Sequence, residues 1–149
     1  MPTNALTRIV AQGAWGTVEA VILDNGSCPA VEFFLNELED IREGGKGEDE
    51  SSAKARFAVL FQNMANAGEV PKKRHKSEMD GFYAFRHEVK NIQIRFPCFR
   101  DGKRWVLTHG FTKKTEKWQQ QEVVRAQRIR AEYYLRKKKS GVTKPEGKS

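Results

Sequence analysis

The chain has 149 residues, of which 38% are hydrophobic and 31% charged, enough for one domain built around one core. No apolar run approaches the ~20 residues that cross a bilayer, and Met1 to Gly13 lacks the basic-then-apolar layout of a secretory leader. A membrane-spanning or exported protein is therefore not expected, and the cytoplasm is the expected compartment. Two cysteines, Cys28 and Cys98, are too few for a disulfide framework and lack zinc spacing. They are expected as buried thiols, and neither a metal nor a cofactor is implied.

Residues 1–14 read as a flexible lead-in. Trp15 to Leu23 is rich in β-branched residues and predicts a strand, after which Asp24-Asn25-Gly26 turns the chain. Pro29 suits the first turn of a helix. In that helix Val31, Phe34, Leu35, Leu38 and Ile41 form one apolar stripe. Gly44-Gly45-Lys46-Gly47 and the acidic residues after it read as a solvated connector; the glycines lack the strand–loop–helix layout of a phosphate loop. A second helix is predicted from Ser51 or Ser52 to Gly68, with Ala53, Phe57, Leu60, Phe61 and Met64 on its buried side.

A basic run, Lys72 to Lys76, leads into three strands: Phe82 to Val89, Ile92 to Phe99 and Arg104 to Phe111. They are joined by turns at Lys90-Asn91 and Asp101-Gly102. Pro97 is expected to bulge or end the middle strand. A long helix follows from Thr115, with Trp118, Val123, Ala126, Ile129 and Tyr133 as its apolar face, and residues 137–149 read as a basic disordered tail. The predicted order is β-α-α-β-β-β-α. This is an α+β fold with its helices on one side of a small antiparallel sheet.

The charge is segregated. Residues 1–68 hold 5 basic and 10 acidic residues, whereas residues 69–149 hold 22 basic and 9 acidic. A basic half interleaved with aromatic residues is the footprint of a polyanion partner, most often nucleic acid. Period-two alternation puts Arg95 opposite the Ile92, Ile94 and Phe96 face, and Arg86 joins it if Tyr83 and Phe85 point inward. With His109, Lys113 and Lys114 nearby, these side chains form a candidate cluster for RNA cleavage without metal. Arg and Lys stabilise the charge that develops when a ribose 2′-OH attacks the adjacent phosphorus, and His or Lys moves the protons. Lys72, Lys73, Arg74, Lys76, Arg104 and Lys117 are candidate phosphate contacts.

The stretch from Leu107 to Tyr134 (LTHGFTKKTEKWQQQEVVRAQRIRAEYY) resembles the phage-derived branch of the RelE/HigB-like toxins of type II toxin–antitoxin systems. FYAFR resembles that family's Leu-Trp-Glu-Leu-Arg, IRF its Tyr-Arg-Val, and Cys28 to Leu38 its first-helix pattern. The resemblance implies a single RelE-like domain over residues 15–136, ribosome-dependent mRNA cleavage that inhibits translation, contact with mRNA and ribosomal RNA, and a cognate antitoxin of helix-turn-helix form. It places catalytic positions at Arg86, Arg95, Lys113 and Lys114, with His109 beside them. Ala84, Ile94 and Cys98 depart from the family's Glu, aromatic and Tyr. A non-catalytic RNA- or ribosome-binding protein on the same scaffold is the alternative. A DNA-binding protein is a third reading, disfavoured because no helix-turn-helix pattern falls among the basic residues.

Overall fold

The computed structural model describes residues 5–38, 52–113 and 119–139. The fold is α+β, as expected, but the sheet has seven strands: β1 (Thr7–Gln12), β2 (Thr17–Val21), β3 (His75–Met79), β4 (Phe82–Val89), β5 (Ile92–Arg100), β6 (Arg104–Leu107) and β7 (Phe111–Lys113). Among the described residues three α-helices accompany it: α1 (Pro29–Glu32), α2 (Ala53–Ala67) and α3 (Gln120–Lys139). The strand order is β1-β2-β6-β5-β4-β3, with β7 pairing β5 beyond the end of β6.

Much of the sheet follows from local chemistry. Lys90 and Asn91 (φ 49° and 72°) make a two-residue turn whose twist matches the strands, and Asp80-Gly81 (φ 47° and 81°) does the same between β3 and β4. Pro97 does not end β5, contrary to expectation. Its carbonyl accepts the Thr108 N–H (2.9 Å), so its nitrogen edge also faces the break between β6 and β7, where no ladder bond is required of it. The predicted return strand, Arg104 to Phe111, is correspondingly split in two around Thr108-His109-Gly110.

Several expectations are corrected. The lead-in is not loose, because Thr7–Gln12 pairs antiparallel with β2. The basic run enters β3, whose pattern is too polar to reveal an edge strand. The sheet is mixed, since β2 pairs parallel with β6. The first helix runs as α1 for one turn and then widens to a π-helical turn, Phe33–Glu37, which turns Phe33 toward the sheet and leaves Leu35 exposed. Ile41 and the glycine connector lie outside the described residues. So do Thr115 and Trp118, and α3 starts at Gln120. It also continues to Lys139, so Lys137 to Lys139 are helical, and Lys137 Nζ binds Asp101 (2.7 Å).

The helices do not share one side of the sheet. Phe57, Phe61 and Met64 of α2 pack with Phe85, Ile94, Phe96 and Leu107 on one face. On the other, Ala126, Ile129 and Tyr133 of α3 pack with Val21, Phe82, Phe99 and Val106. Tyr133 Oη donates to Asp101 (2.6 Å) and Arg130 donates to the Asp80 carbonyl (2.7 Å), which fixes α3 across the two turns.

Ser52 caps α2 by accepting the Ala55 N–H (3.0 Å), and Gly68 ends it in the left-handed region at φ 83°. A Cβ on Gly68 would meet the Trp15 ring at 2.5 Å. Gly68→Ala is therefore expected to destabilise the fold by about 1–2 kcal/mol from the backbone alone, and further by displacing Trp15. Urea unfolding measures the loss. Gly68→Asn, which tolerates this φ better, should recover the backbone share only.

Candidate nucleic-acid interface

Strand register assembles the site. In β4 and β5, Arg86 is the direct cross-strand partner of Arg95, and Glu88 is that of Gln93. On the other side of β5, Arg95 faces Phe111 and Gln93 faces Lys113. Arg86, Glu88, Gln93, Arg95, Phe111 and Lys113 thus share one face of three adjacent strands, with neighbouring Cα atoms about 5 Å apart. It is the face that carries α3, but α3 packs over the Phe82, Phe99 and Val106 half of it.

Arg86 and Arg95 do fall together as the alternation indicates. Arg95, however, is not on an open surface: it is 2% exposed and Lys113 is 7% exposed. The Arg95 guanidinium donates to the Ile94 carbonyl (3.0 Å) and to Gln93 Oε1, so its fork is held by its own strand. Arg86 is half-buried and faces Glu78 Oε2 at 3.9 Å. Gln93, Glu88 and Glu78 are the members that sequence reasoning missed. The same alternation that marks Arg95 also marks Gln93, whereas Glu78 depends on the unforeseen β3.

His109 takes a different place. It is wholly buried between the sheet and α3, and its ring stacks on Phe111 (5.5 Å). Its Nε2 lies 2.9 Å from Glu122 Oε1 and its Nδ1 lies 3.0 Å from Thr108 Oγ1. This network assigns a neutral ring that donates Nε2–H to the carboxylate and accepts the Thr108 hydroxyl proton. Burial disfavours the charged ring and the nearby Arg125 cation adds to it, pushing the pKa down to about 3. His109 is thus a structural group bridging β7 and α3. Gly110 beside it leaves room for Phe33, whose ring a Cβ would strike at 2.2 Å.

His75, packed among Tyr83, Phe85 and Trp105, is likewise pushed down by burial, to about 4. In the unfolded chain both imidazoles take up protons near pH 6.5. Between that value and the folded pKa the unfolded state binds more protons, so stability falls as pH drops below about 6.5. The expected slope is at most about 1.4 kcal/mol per pH unit for each histidine. Urea unfolding at pH 7 and pH 5 checks it, and His109→Gln should flatten part of the slope.

The remaining candidates divide. Lys72 and Lys73 are exposed in the turn before β3, and Lys76 is exposed opposite Ala84, on the Arg86 side of the sheet. The Arg74 carbonyl accepts the Arg86 N–H (2.8 Å), which joins this run to the site. Arg104 stands apart, 3.7 Å from the buried Glu19 carboxylate, which also accepts from Thr7 and Thr17. Lys114 and Lys117 lie outside the described residues. Cys28 and Cys98 are buried free thiols, and burial raises the pKa of both.

Residues 48–131, more than half of the chain, match the family described as Phage derived protein Gp49-like (DUF891). The chain belongs to this phage-derived Gp49-like family. The matched span runs from just before α2 into α3 and contains every member of the basic face. No curated protein and no solved structure matches the chain. No helix among the described residues of this Gp49-like protein is long and apolar enough to cross a membrane.

Proposed function

We propose that this Gp49-like protein is the toxin of a type II toxin–antitoxin pair, a metal-independent, ribosome-dependent mRNA endoribonuclease acting in the cytoplasm and neutralised by a cognate antitoxin. Membership in a phage-derived family is compatible with a toxin. The observation that carries the chemistry is the register placing Arg86, Arg95 and Lys113 on one face of adjacent strands.

On this proposal the two guanidiniums clamp the scissile phosphate and stabilise the charge that builds up as the 2′-oxygen attacks phosphorus. The Lys113 ammonium donates the proton that the departing 5′-oxygen needs. With His109 sealed beneath α3, the 2′ proton passes to Glu88, the exposed carboxylate on the same face. The 2′-oxygen–phosphorus bond forms as the phosphorus–5′-oxygen bond breaks, leaving a 2′,3′-cyclic phosphate and a 5′-hydroxyl.

The test is inducible expression in a bacterium with mapping of mRNA 5′ ends, followed by purified ribosomes programmed with a defined message. Growth arrest with new ends inside translated frames is the expected result. The burial of Arg95 favours one second reading, a non-catalytic RNA- or ribosome-binding protein on the same scaffold. Soluble protein that binds ribosomes in a salt-dependent manner, with no arrest and no new ends, would establish that reading instead.

A further inference from the structure

At the sheet edge beside Arg86, on the α2 side, lies a cavity of about 360 Å3 lined by Ala55, Arg56, Val59 and Leu60 of α2, by Arg74 and by His87 of β4. That volume lies within the range that takes a small organic ligand. Arg56, Arg74 and His87 line it from three parts of the chain. His87 is 6% exposed, set edge-on to Phe57 with ring centroids 6.1 Å apart. Val59, 57% exposed, stands on the helix as an apolar side chain in contact with solvent. The cavity therefore joins a cationic side to an aliphatic one.

We infer that this cavity is a nucleotide subsite, in which Arg56 and Arg74 take a phosphate and the Ala55, Val59 and Leu60 side takes the face of a base. Either feature alone fits a broader class: cations suit any anion, and an aliphatic wall suits any apolar group. A nucleotide carries both in one small unit. Arg74 supplies continuity, since its carbonyl is bonded to the Arg86 N–H while the same residue lines the cavity. A single strand lying on the Arg86, Arg95 and Lys113 face reaches the cavity by crossing the sheet edge at Arg74, just past the last β3–β4 pair, His75 with Phe85. As a stretch of an RNA track the assignment rests on the function proposed above; as a nucleotide site it stands separately.

The test uses the full chain and an uncleavable 2′-O-methyl RNA hexamer, followed by fluorescence anisotropy. Thermal unfolding of each variant serves as the control for folding. Arg56→Ala and Val59→Glu, both on the exposed side of α2, are expected to weaken binding by about fivefold to tenfold without moving the melting temperature. In parallel, 5′-AMP should shift the NMR signals of His87 and Val59 at concentrations where inorganic phosphate does not. If both variants bind as wild type while Arg95→Ala weakens binding, the subsite is refuted and the basic face stands. If wild type does not bind the hexamer but 5′-AMP still shifts His87, the RNA reading fails and the nucleotide site stands. If inorganic phosphate or a glutamate peptide displaces 5′-AMP at equal concentration, the site is a general anion site and the nucleotide assignment is overturned.

Discussion

Arg95→Ala is expected to abolish translation arrest and to lower the rate of ribosome-dependent cleavage by about a hundredfold to a thousandfold, the usual loss when a fixed donor to developing charge is removed. The size of the effect follows from how the guanidinium is held. It is 2% exposed, bonded to the Ile94 carbonyl and Gln93 Oε1, and flanked across the ladder by Arg86 and Phe111. A donor so fixed reorganises little when charge appears on the phosphate. Alanine also leaves a cavity and removes the Arg95 hydrogen bond to Gln93 Oε1, so stability falls as well. Arg95→Lys separates the two effects. It keeps a charge and most of the volume but loses the planar fork. Lysine is expected to preserve the unfolding midpoint within a few degrees and still lose most of the cleavage rate. Wild-type cleavage by Arg95→Lys would remove Arg95 from the site.

Phe61→Ala is expected to cost about 3–5 kcal/mol, measured by urea unfolding at pH 7. Phe61 is 1% exposed and lies at the centre of an aromatic cluster. Its ring centroid is 6.2 Å from that of Phe34, 5.9 Å from Phe57, 5.1 Å from Phe85 and 5.3 Å from Phe96. Two of these neighbours, Phe85 and Phe96, precede and follow Arg86 and Arg95 in sequence and point to the opposite face of the sheet. Loosening the cluster removes the floor against which the basic face is registered. A domain with about 5–15 kcal/mol of stability loses a large share of it in this one change. Val59→Ala, exposed on the same helix, should stay within about half a kcal/mol of wild type.

Long central elements were the legible ones. The alternation across Phe82 to Val89 and Ile92 to Phe99 carries enough residues on each face to fix which side Arg86 and Arg95 occupy. The period in Ala53 to Met64, closed by Gly68, does the same for α2. The strands that escaped detection, β1 and β3, sit at the sheet's edges with few neighbours to impose a pattern. The parallel pairing of β2 with β6 has no local signature at all, because nothing in Thr17 to Val21 names its partner. The placement of α3 over the face that also bears Arg95 was hidden for a related reason. Phe82 and Phe99 share that face with the arginines, so one surface is apolar at one end and cationic at the other. The burial of His109 has no sequence signature, because a histidine beside lysines looks alike in sequence whether solvent or Glu122 reaches it.

The parallel pair has a consequence for synthesis. Thr17 meets Arg104 and Ala20 meets Leu107, so the N-terminal hairpin occupies its seat only after β6 has been made. At roughly 5–20 residues per second, several seconds of elongation pass between the two halves of that contact. The catalytic face proposed here is assembled from β4, β5 and β7, and β7 is translated after β6. A ribosome making this protein therefore holds an unfinished sheet until β7 has been made. On the function proposed above, the nascent chain gains a complete basic face only once β7 has been made, which delays any action on the ribosome that is making it.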